Sequence, residues 1–495
     1  MSRLIIIILV FKILDDIYMT NINKRKNTDS SLIELEILRK AVEKAEEKAG
    51  RMQVNSPQVK KIIEIVESYL RKKKCVCYGG TAINNLLPAE DQFYNKDVEL
   101  PDYDFFSPSA LDDAKELADI YFSQGYKDVE AKAGQHFGTF KVFVNFMPVA
   151  DITQLDSILF KTIYKESIKV DGIHYAPPNL LRMSMYLELS RPLGDVSRWE
   201  KVFKRLSLLN KNYPLQGDKC QQALFIDSFE NDENDQLNGN KHYRLYTSVK
   251  NNLISQGVVF FGGYAFSLYN RYKNGHIEEL PDFDVLSENP EKSARILKEL
   301  LHSEGYKKIK ILHKPPIGDI VSPHIEIIVD KRSVACIYEP VACHSFNTIK
   351  IKGKLIKIAT IDTMLSFYLA FLYEDNSKYD KNKILCMAEY LARVQSKSKF
   401  KQHGLLKRFT INCYGKQMTR EEIRAEKNEM HELLKDKKGS REYEEYFLNY
   451  QPNNKSNENE VDKFKKKMAK KQKTLKKKSK SKKTKKYIKI GSFEI

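Results

Sequence analysis

The chain has 495 residues, 42% hydrophobic and 30% charged, which exceeds what one ordinary core accommodates and predicts two or three domains. Its seven cysteines are scattered, with no CxxC pairs and no zinc spacing; this excludes a disulfide scaffold or zinc ribbon and predicts seven reduced thiols in an intracellular protein. The net charge of +19 is concentrated at one end, where sixteen lysines lie between Lys463 and Lys489 against a single acid, Glu494.

In chain order, the apolar run from Leu4 to Phe11 is far shorter than the roughly 20 residues that cross a bilayer. Asp15 and Asp16 follow without a small-residue cleavage site, so neither a membrane span nor a secretory leader is expected, and Met19 is an alternative start. Ser31–Ala49 reads as a helix opened by the capping box Ser31-Leu-Ile-Glu34 and ended by Gly50. Its inner stripe would be Leu35, Leu38, Val42, Ala45 and Ala49. A second helix starts at Ser56-Pro57. A short apolar strand, Cys75–Tyr78, then runs into Gly79-Gly80-Thr81 and a helix to about Leu86. Glu99–Phe106 reads as a strand. Ser107-Pro108 opens a helix with Leu111, Ala114, Leu117, Ala118 and Tyr121 inward, and Thr139–Asp151 alternates as a strand does. Strands alternating with helices predict an α/β (α+β) domain.

The pattern then returns. Glu99-Leu-Pro-Asp-Tyr-Asp104 is matched by Glu279-Leu-Pro-Asp-Phe-Asp284, and Ser123-Gln-Gly-Tyr-Lys127 by Ser303-Glu-Gly-Tyr-Lys307, both 180 residues on. Gly79-Gly80 is matched by Gly262-Gly263 after the strand Val258–Phe261, and Asp151 by Asp330 at the end of Ile325–Asp330. Such register over a long period predicts an internal duplication. The expected organisation is a helical segment over 1–55, a first domain over 56–190, a connection over 191–245, a second domain over 246–375, C-terminal helices over 376–450 and a disordered basic tail over 451–495. The acidic, asparagine-rich stretch 227–240 is the best linker.

Asp102-Tyr-Asp104 in a strand points both carboxylates to one face. Two adjacent carboxylates are costly without a cation between them, and Asp151 at another strand's end supplies a third oxygen ligand. Three such ligands suit Mg²⁺ or Mn²⁺, with a pair of ions activating a hydroxyl and stabilising pyrophosphate. Gly79, Gly80 and Thr81 at a strand-to-helix turn form a phosphate cradle. Asp102, Asp104 and Asp151 are thus the candidate catalytic and metal-binding residues, and Gly79, Gly80 and Thr81 the nucleotide-binding ones. In the second copy Tyr264 follows the glycines and would bring a ring to the triphosphate path unless it turns inward, which favours the first copy as the active one. Arg182, Arg191, Arg198, Lys201, Lys204 and Arg205 form a charged helix face or a contact for triphosphate or RNA. Trp199 reads as core packing, and His136 and His174 as ordinary residues.

The Gly79-Gly80-Thr81 turn, the Asp102-Tyr-Asp104 strand and Asp151 resemble the DNA polymerase β-type nucleotidyltransferase signature. Leu180-Leu-Arg-Met-Ser-Met-Tyr-Leu-Glu-Leu-Ser-Arg-Pro192 with Ser197-Arg-Trp-Glu-Lys201 resembles the poly(A) polymerase catalytic subunits of poxviruses and related large DNA viruses, most closely those of mimivirus-like giant viruses. The resemblance covers about residues 55–375. It implies two tandem nucleotidyltransferase domains, the second degenerate, adding adenylates from ATP to an RNA 3′ end with two Mg²⁺ or Mn²⁺ ions. It implies a site in the host cytoplasm, in the viral factory and in the virion, and no membrane partner. A homodimer, a processivity subunit or the lysine tail would hold the RNA. Other template-independent nucleotidyltransferases, of the oligoadenylate synthase or CCA-adding type, share the same metal site, and a non-catalytic RNA-binding scaffold is the reading from another class.

Overall fold

The computed structural model describes residues 30–95, 97–220, 236–270, 282–318, 320–374 and 380–452. The apolar run 4–11, Met19, residues 279–281 of the repeated motif, most of the 227–240 linker and the lysine tail lie outside the described residues; residues 236–240 open the helix Gln236–Ser255. Among the described residues no helix is long and apolar enough to cross a membrane.

The chain divides into two compact units: Met1–Glu64 with Phe93–Pro101, and Ile65–Gln92 with Asp102–Ile495. In the smaller unit the first helix runs Ser30–Val54, straight through the expected stop at Gly50. A glycine is tolerated inside a helix when something needs the room. Here a Cβ on Gly50 would collide with the Val98 carbonyl oxygen. The stripe expected to be buried is open instead, with Leu38 57% exposed.

The larger unit holds two mixed sheets. The first contains β1 (Val76–Tyr78), β2 (Tyr103–Ser107), β3 (Val129–Ala133), β4 (Thr139–Val144), β5 (Met147–Gln154), β6 (Ile168–Val170) and β7 (Ile173–Tyr175). The second contains β8 (Val259–Phe260), β9 (Phe283–Leu286), β10 (Ile309–Lys314), β11 (His324–Val329), β12 (Arg332–Tyr338), β13 (His344–Ile351) and β14 (Lys354–Ala359). Two late strands, β15 (Cys413–Tyr414) and β16 (Asn449–Tyr450), complete the sheets, in the orders β16-β3-β4-β5-β2-β1-β7-β6 and β10-β11-β12-β9-β8-β14-β13-β15. Without the late strands the two orders coincide, and so does each pair's direction. β2 lies parallel to β5 as β9 does to β12, and β1 antiparallel to β2 as β8 does to β9. The duplication read from the motifs is therefore a duplication of topology.

In each repeat one sheet face is sealed by the helix after the aspartate strand. In the first repeat, Ala110–Ser123 places Leu111, Ala114, Leu117, Ala118 and Tyr121 inward, all 2% exposed or less. They share the core with Phe105, Phe140, Val142, Ala150 and Ile152, the alternate residues of β2, β4 and β5. Alternation then presents Asp104, Lys141 and Asp151 on the opposite face. The helices Pro178–Leu189 and Ile361–Phe371 pack against each other and tie the repeats together.

Several expectations need correction. The alternating stretch 139–151 is a hairpin, β4 and β5, turned at Asn145 and Phe146, both at positive φ. The turn escapes a sequence reading because a phenylalanine occupies a position that usually takes glycine. The charged run after Pro177 is not one surface: Arg182 is 1% exposed, with its guanidinium donating to Asn179, Asn210 and the Tyr213 carbonyl. Nor are all seven thiols free. Cys220 is bonded to Cys386 and Cys343 to Cys413, leaving Cys75, Cys77 and Cys336 as buried thiols. The bonded partners lie 166 and 70 residues apart, so no local spacing reveals them.

Candidate functional site

The centre of the first sheet carries one row of register neighbours. Tyr78 on β1 lies opposite Asp104 on β2, Asp104 beside Asp151 on β5, and Asp151 opposite Lys141 on β4. Asp102 precedes β2 by one residue and Asp104 by two, which puts its carboxylate on the same face. The three acids named from sequence thus share one face of the sheet, Asp102 and Asp104 from the β2 segment and Asp151 from β5.

The turn after β1 is built around Asp104. Gly79 adopts φ +72°, and a Cβ there would stand 2.5 Å from Asp104 Oδ2, so only glycine lets the turn close over the acid. The helix Gly79–Leu86 starts at this point and aims its free N–H groups at the same region. Thr81 has a different place from the one expected. It is buried, and its hydroxyl donates to the Asp102 carbonyl at 2.6 Å. This bond ties the glycine turn to the segment that carries Asp102.

The electrostatics follow from this crowding. Burial and then the charges of Asp102 and Asp151 push the Asp104 carboxyl up to about 7, while Lys141 and Arg198 oppose the rise. Asp102 is also raised, by burial and then by Asp151, with Lys141 and Lys201 acting against it. Of the basic residues flagged in the sequence, Arg198 and Lys201 therefore act on the acids, whereas Arg182 is structural. Trp199 is half-buried and its Nε1 donates to the Glu188 carbonyl, as a packing residue would. Beside the acids, Tyr78 stacks on Phe106 at 4.0 Å between ring centroids, and its hydroxyl pairs with Thr153 at 2.8 Å. Sequence reading missed Tyr78, Thr153 and Lys141. The last would have been found from the β4–β5 hairpin, because Lys141 forms an ion pair with Asp151.

Hard carboxylate oxygens on one face suit a Mg²⁺ or Mn²⁺ ion by donor type. Among the described residues, however, only Asp282, Asp284 and Cys336 bring three potential ligand atoms within 4.8 Å of one another. The first triad is more open, with Asp151 Oδ2 engaged by Lys141.

In the second sheet the equivalent row reads differently. Phe261 donates its N–H to the Asp284 carbonyl, Asp284 lies beside Cys336, and Cys336 lies opposite Glu326. Cys336, not Asp330, therefore stands where Asp151 does. Asp330 sits in the β11–β12 turn at φ 49°, in the place of Asn145. The loop before β11 is longer than the one before β4, so the 180-residue offset shared by the two earlier motifs points into the β11–β12 turn and falls short of Cys336 on β12. Tyr264 does not obstruct its turn: it is 6% exposed and packs edge-on to Phe260 and Phe283. The rows differ in the residues beyond the shared aspartate, Asp151 and Lys141 against Cys336 and Glu326, and the first row is the more exposed.

Residues 64–195 match the profile of the poly(A) polymerase catalytic subunit family. A protein of Acanthamoeba polyphaga mimivirus assigned as such a subunit is 34% identical over 159 residues, covering 31% of this chain and 27% of that protein. One from African swine fever virus, isolate Kenya 1950, is 30% identical over 173 residues, covering 34% and 36%. The matched stretches thus span about a third of these relatives, and the profile match contains Gly79, Gly80, Thr81, Asp102, Asp104 and Asp151. The crystal structure of the Megavirus polyadenylate synthase shares the fold over 88% of this chain and 89% of that one, with a TM-score of 0.68 at 22% identity.

Proposed function

We propose that the chain is a template-independent nucleotidyltransferase that adds adenylates from ATP to RNA 3′ ends, and that the first repeat carries the chemistry. The observation that supports this most directly is the row Asp104–Asp151, with Asp102 on the same face, directly beneath a glycine turn that opens a helix. Asp102, Asp104 and Asp151 would hold two Mg²⁺ or Mn²⁺ ions, which lower the barrier by activating the attacking hydroxyl and neutralising the departing pyrophosphate. The chain's own groups do the rest. The backbone of Gly79 and Gly80 receives phosphate oxygens, Thr81 keeps Asp102 in place, and Arg198 and Lys201 supply positive charge near the triphosphate. The relatives' names, which specify poly(A) polymerase catalytic subunits, favour ATP and RNA over other nucleotides and acceptors. Those relatives come from large DNA viruses, and the reading places the enzyme in the infected cytoplasm.

The lysine-rich segment 463–489 would hold RNA through phosphate contacts. Each such contact steepens the dependence of log affinity on log salt by roughly 0.7 for a single strand. The decisive experiment offers labelled ATP, GTP, CTP and UTP separately with an unstructured RNA primer. Long extension with ATP alone is the expected result. Short oligomers formed without primer would identify an oligoadenylate synthase. Addition of C and A to a limited length would identify a CCA-adding enzyme, and no incorporation a scaffold.

A further inference from the structure

Lys141 is the residue of the site that neither the motif nor the reaction chemistry requires. It comes from β4, a strand that contributes no acid, and register places it directly opposite Asp151. Its ammonium is bonded to Asp151 Oδ2, and the lysine side chain is 40% exposed, so it is free to swing toward solvent. Asp151 cannot offer that oxygen to an ammonium and to a divalent ion together. Even through the other oxygen, a cation would be repelled by the ammonium a few ångströms away.

The second repeat indicates that this lysine belongs to the site and not to the fold. The same strand position, in the same sheet order, is held there by Glu326, which faces Cys336 where Lys141 faces Asp151. The topology accepts either charge, so the fold does not need a lysine. Lysine and third acid occur together in one repeat and are replaced together in the other. In that repeat, Asp282, Asp284 and Cys336 close to within 4.8 Å, a convergence the lysine-bearing repeat does not reach.

We propose that Lys141 is a built-in competitor for the metal: it neutralises Asp151 and must release it before the triad can close around a divalent ion, so that Lys141 sets the metal concentration at which the site loads. This inference rests on the two-metal reading of the triad. Release costs one ion pair and returns one mobile cation to the edge of the site.

The test is direct binding of Mn²⁺ to the full chain without nucleotide or RNA, followed by the electron paramagnetic resonance signal of the free ion. Lys141→Met keeps the length of the side chain and removes the charge; it should tighten Mn²⁺ binding roughly tenfold. Lys141→Arg should bind as the unaltered chain does. Adding Asp151→Asn should abolish the gain from Lys141→Met, because the lysine then has nothing to withhold. Unchanged or weaker binding by Lys141→Met, with the melting transition intact, would overturn the proposal and make Lys141 a positioning residue for Asp151. Absence of Mn²⁺ binding to every variant, Lys141→Met included, would overturn the two-metal reading and this inference with it, a result distinct from equal binding by all.

Discussion

The two central rows, Tyr78–Asp104–Asp151–Lys141 and Phe261–Asp284–Cys336–Glu326, sit on sheets of the same strand order, yet they present different chemistry. The first offers hard oxygens and a counter-cation, partly open to solvent. The second offers two carboxylates and a buried thiol opposite another acid, a mixed set better matched to a softer ion such as Zn²⁺ than to Mg²⁺. Both keep the glycine that closes over the aspartate: a Cβ on Gly262 would collide with Asp284 as one on Gly79 would with Asp104. The glycine and the paired aspartates are thus compatible with the fold alone. What separates the repeats lies one and two strands further along, at Asp151 against Cys336 and at Lys141 against Glu326.

That contrast can be broken most directly at the first row. Asp102→Ala, Asp104→Ala or Asp151→Ala should each reduce primer extension by on the order of a thousandfold or more, since each removes a ligand of the two ions in the proposed mechanism. Melting temperature in chelator should hold or rise for Asp102→Ala and Asp104→Ala, because like-charge repulsion is relieved. Lost activity with a collapsed transition would reassign these acids to a structural role.

The second row can be forced toward the first by Cys336→Asp. Cys336 is fully buried at the centre of its sheet and already opposite Glu326. A new carboxyl there should destabilise the chain by about 2–4 kcal/mol and give no gain in nucleotide addition. Chemical denaturation and the primer assay measure the two. An added carboxyl that is tolerated and raises turnover would show that the second repeat is one residue away from activity.

The acids also predict a pH dependence. Asp104 is held near 7 in the folded chain, well above an ordinary carboxylate, so the folded state retains a proton that the unfolded state has released. Stability in chelator should therefore fall as pH rises from about 4 to 7, and Asp104→Asn should flatten that slope. A stability that rises across this window because of Asp104 would contradict the crowding described for the row. The smallest effect is expected from Asp282→Ala combined with Asp284→Ala, which should leave primer extension within about twofold if the first repeat alone carries the chemistry. A folded but inactive double variant would reverse the assignment of the repeats.

Much of this contrast was legible in the chain itself. The strand and helix around Gly79 and the face shared by Asp102 and Asp104 follow from local rules, glycine at a turn and period two in a strand. The duplication was legible because its motifs recur in the same order, two of them at the same 180-residue offset, up to β10. Beyond that, spacing misleads. Asp330 ends an apolar run as Asp151 does, but a longer loop had already shifted the register. Lys141 was invisible for a related reason: its partner is fixed by a hairpin whose turn, Asn145-Phe146, lacks the usual glycine. Arg182 read as surface because charge predicts exposure, and only three-dimensional packing supplies the partners that let it be buried.

β16 carries a consequence for the order of events at the ribosome. The outer edge of the first sheet is β3, and the strand that pairs with it comes from the far end of the described chain. Tyr450, on that strand, bonds to Asp119 across 331 residues of sequence. During synthesis the first repeat must therefore wait with an unpaired edge while the whole second repeat is made. Such an edge recruits strands from neighbouring chains. A protein cut short before Asn449 would keep the Tyr78–Asp104–Asp151–Lys141 row intact and still be prone to aggregate, and residues 449–450, added in trans as part of a peptide spanning Arg441–Tyr450, are the natural means to rescue it.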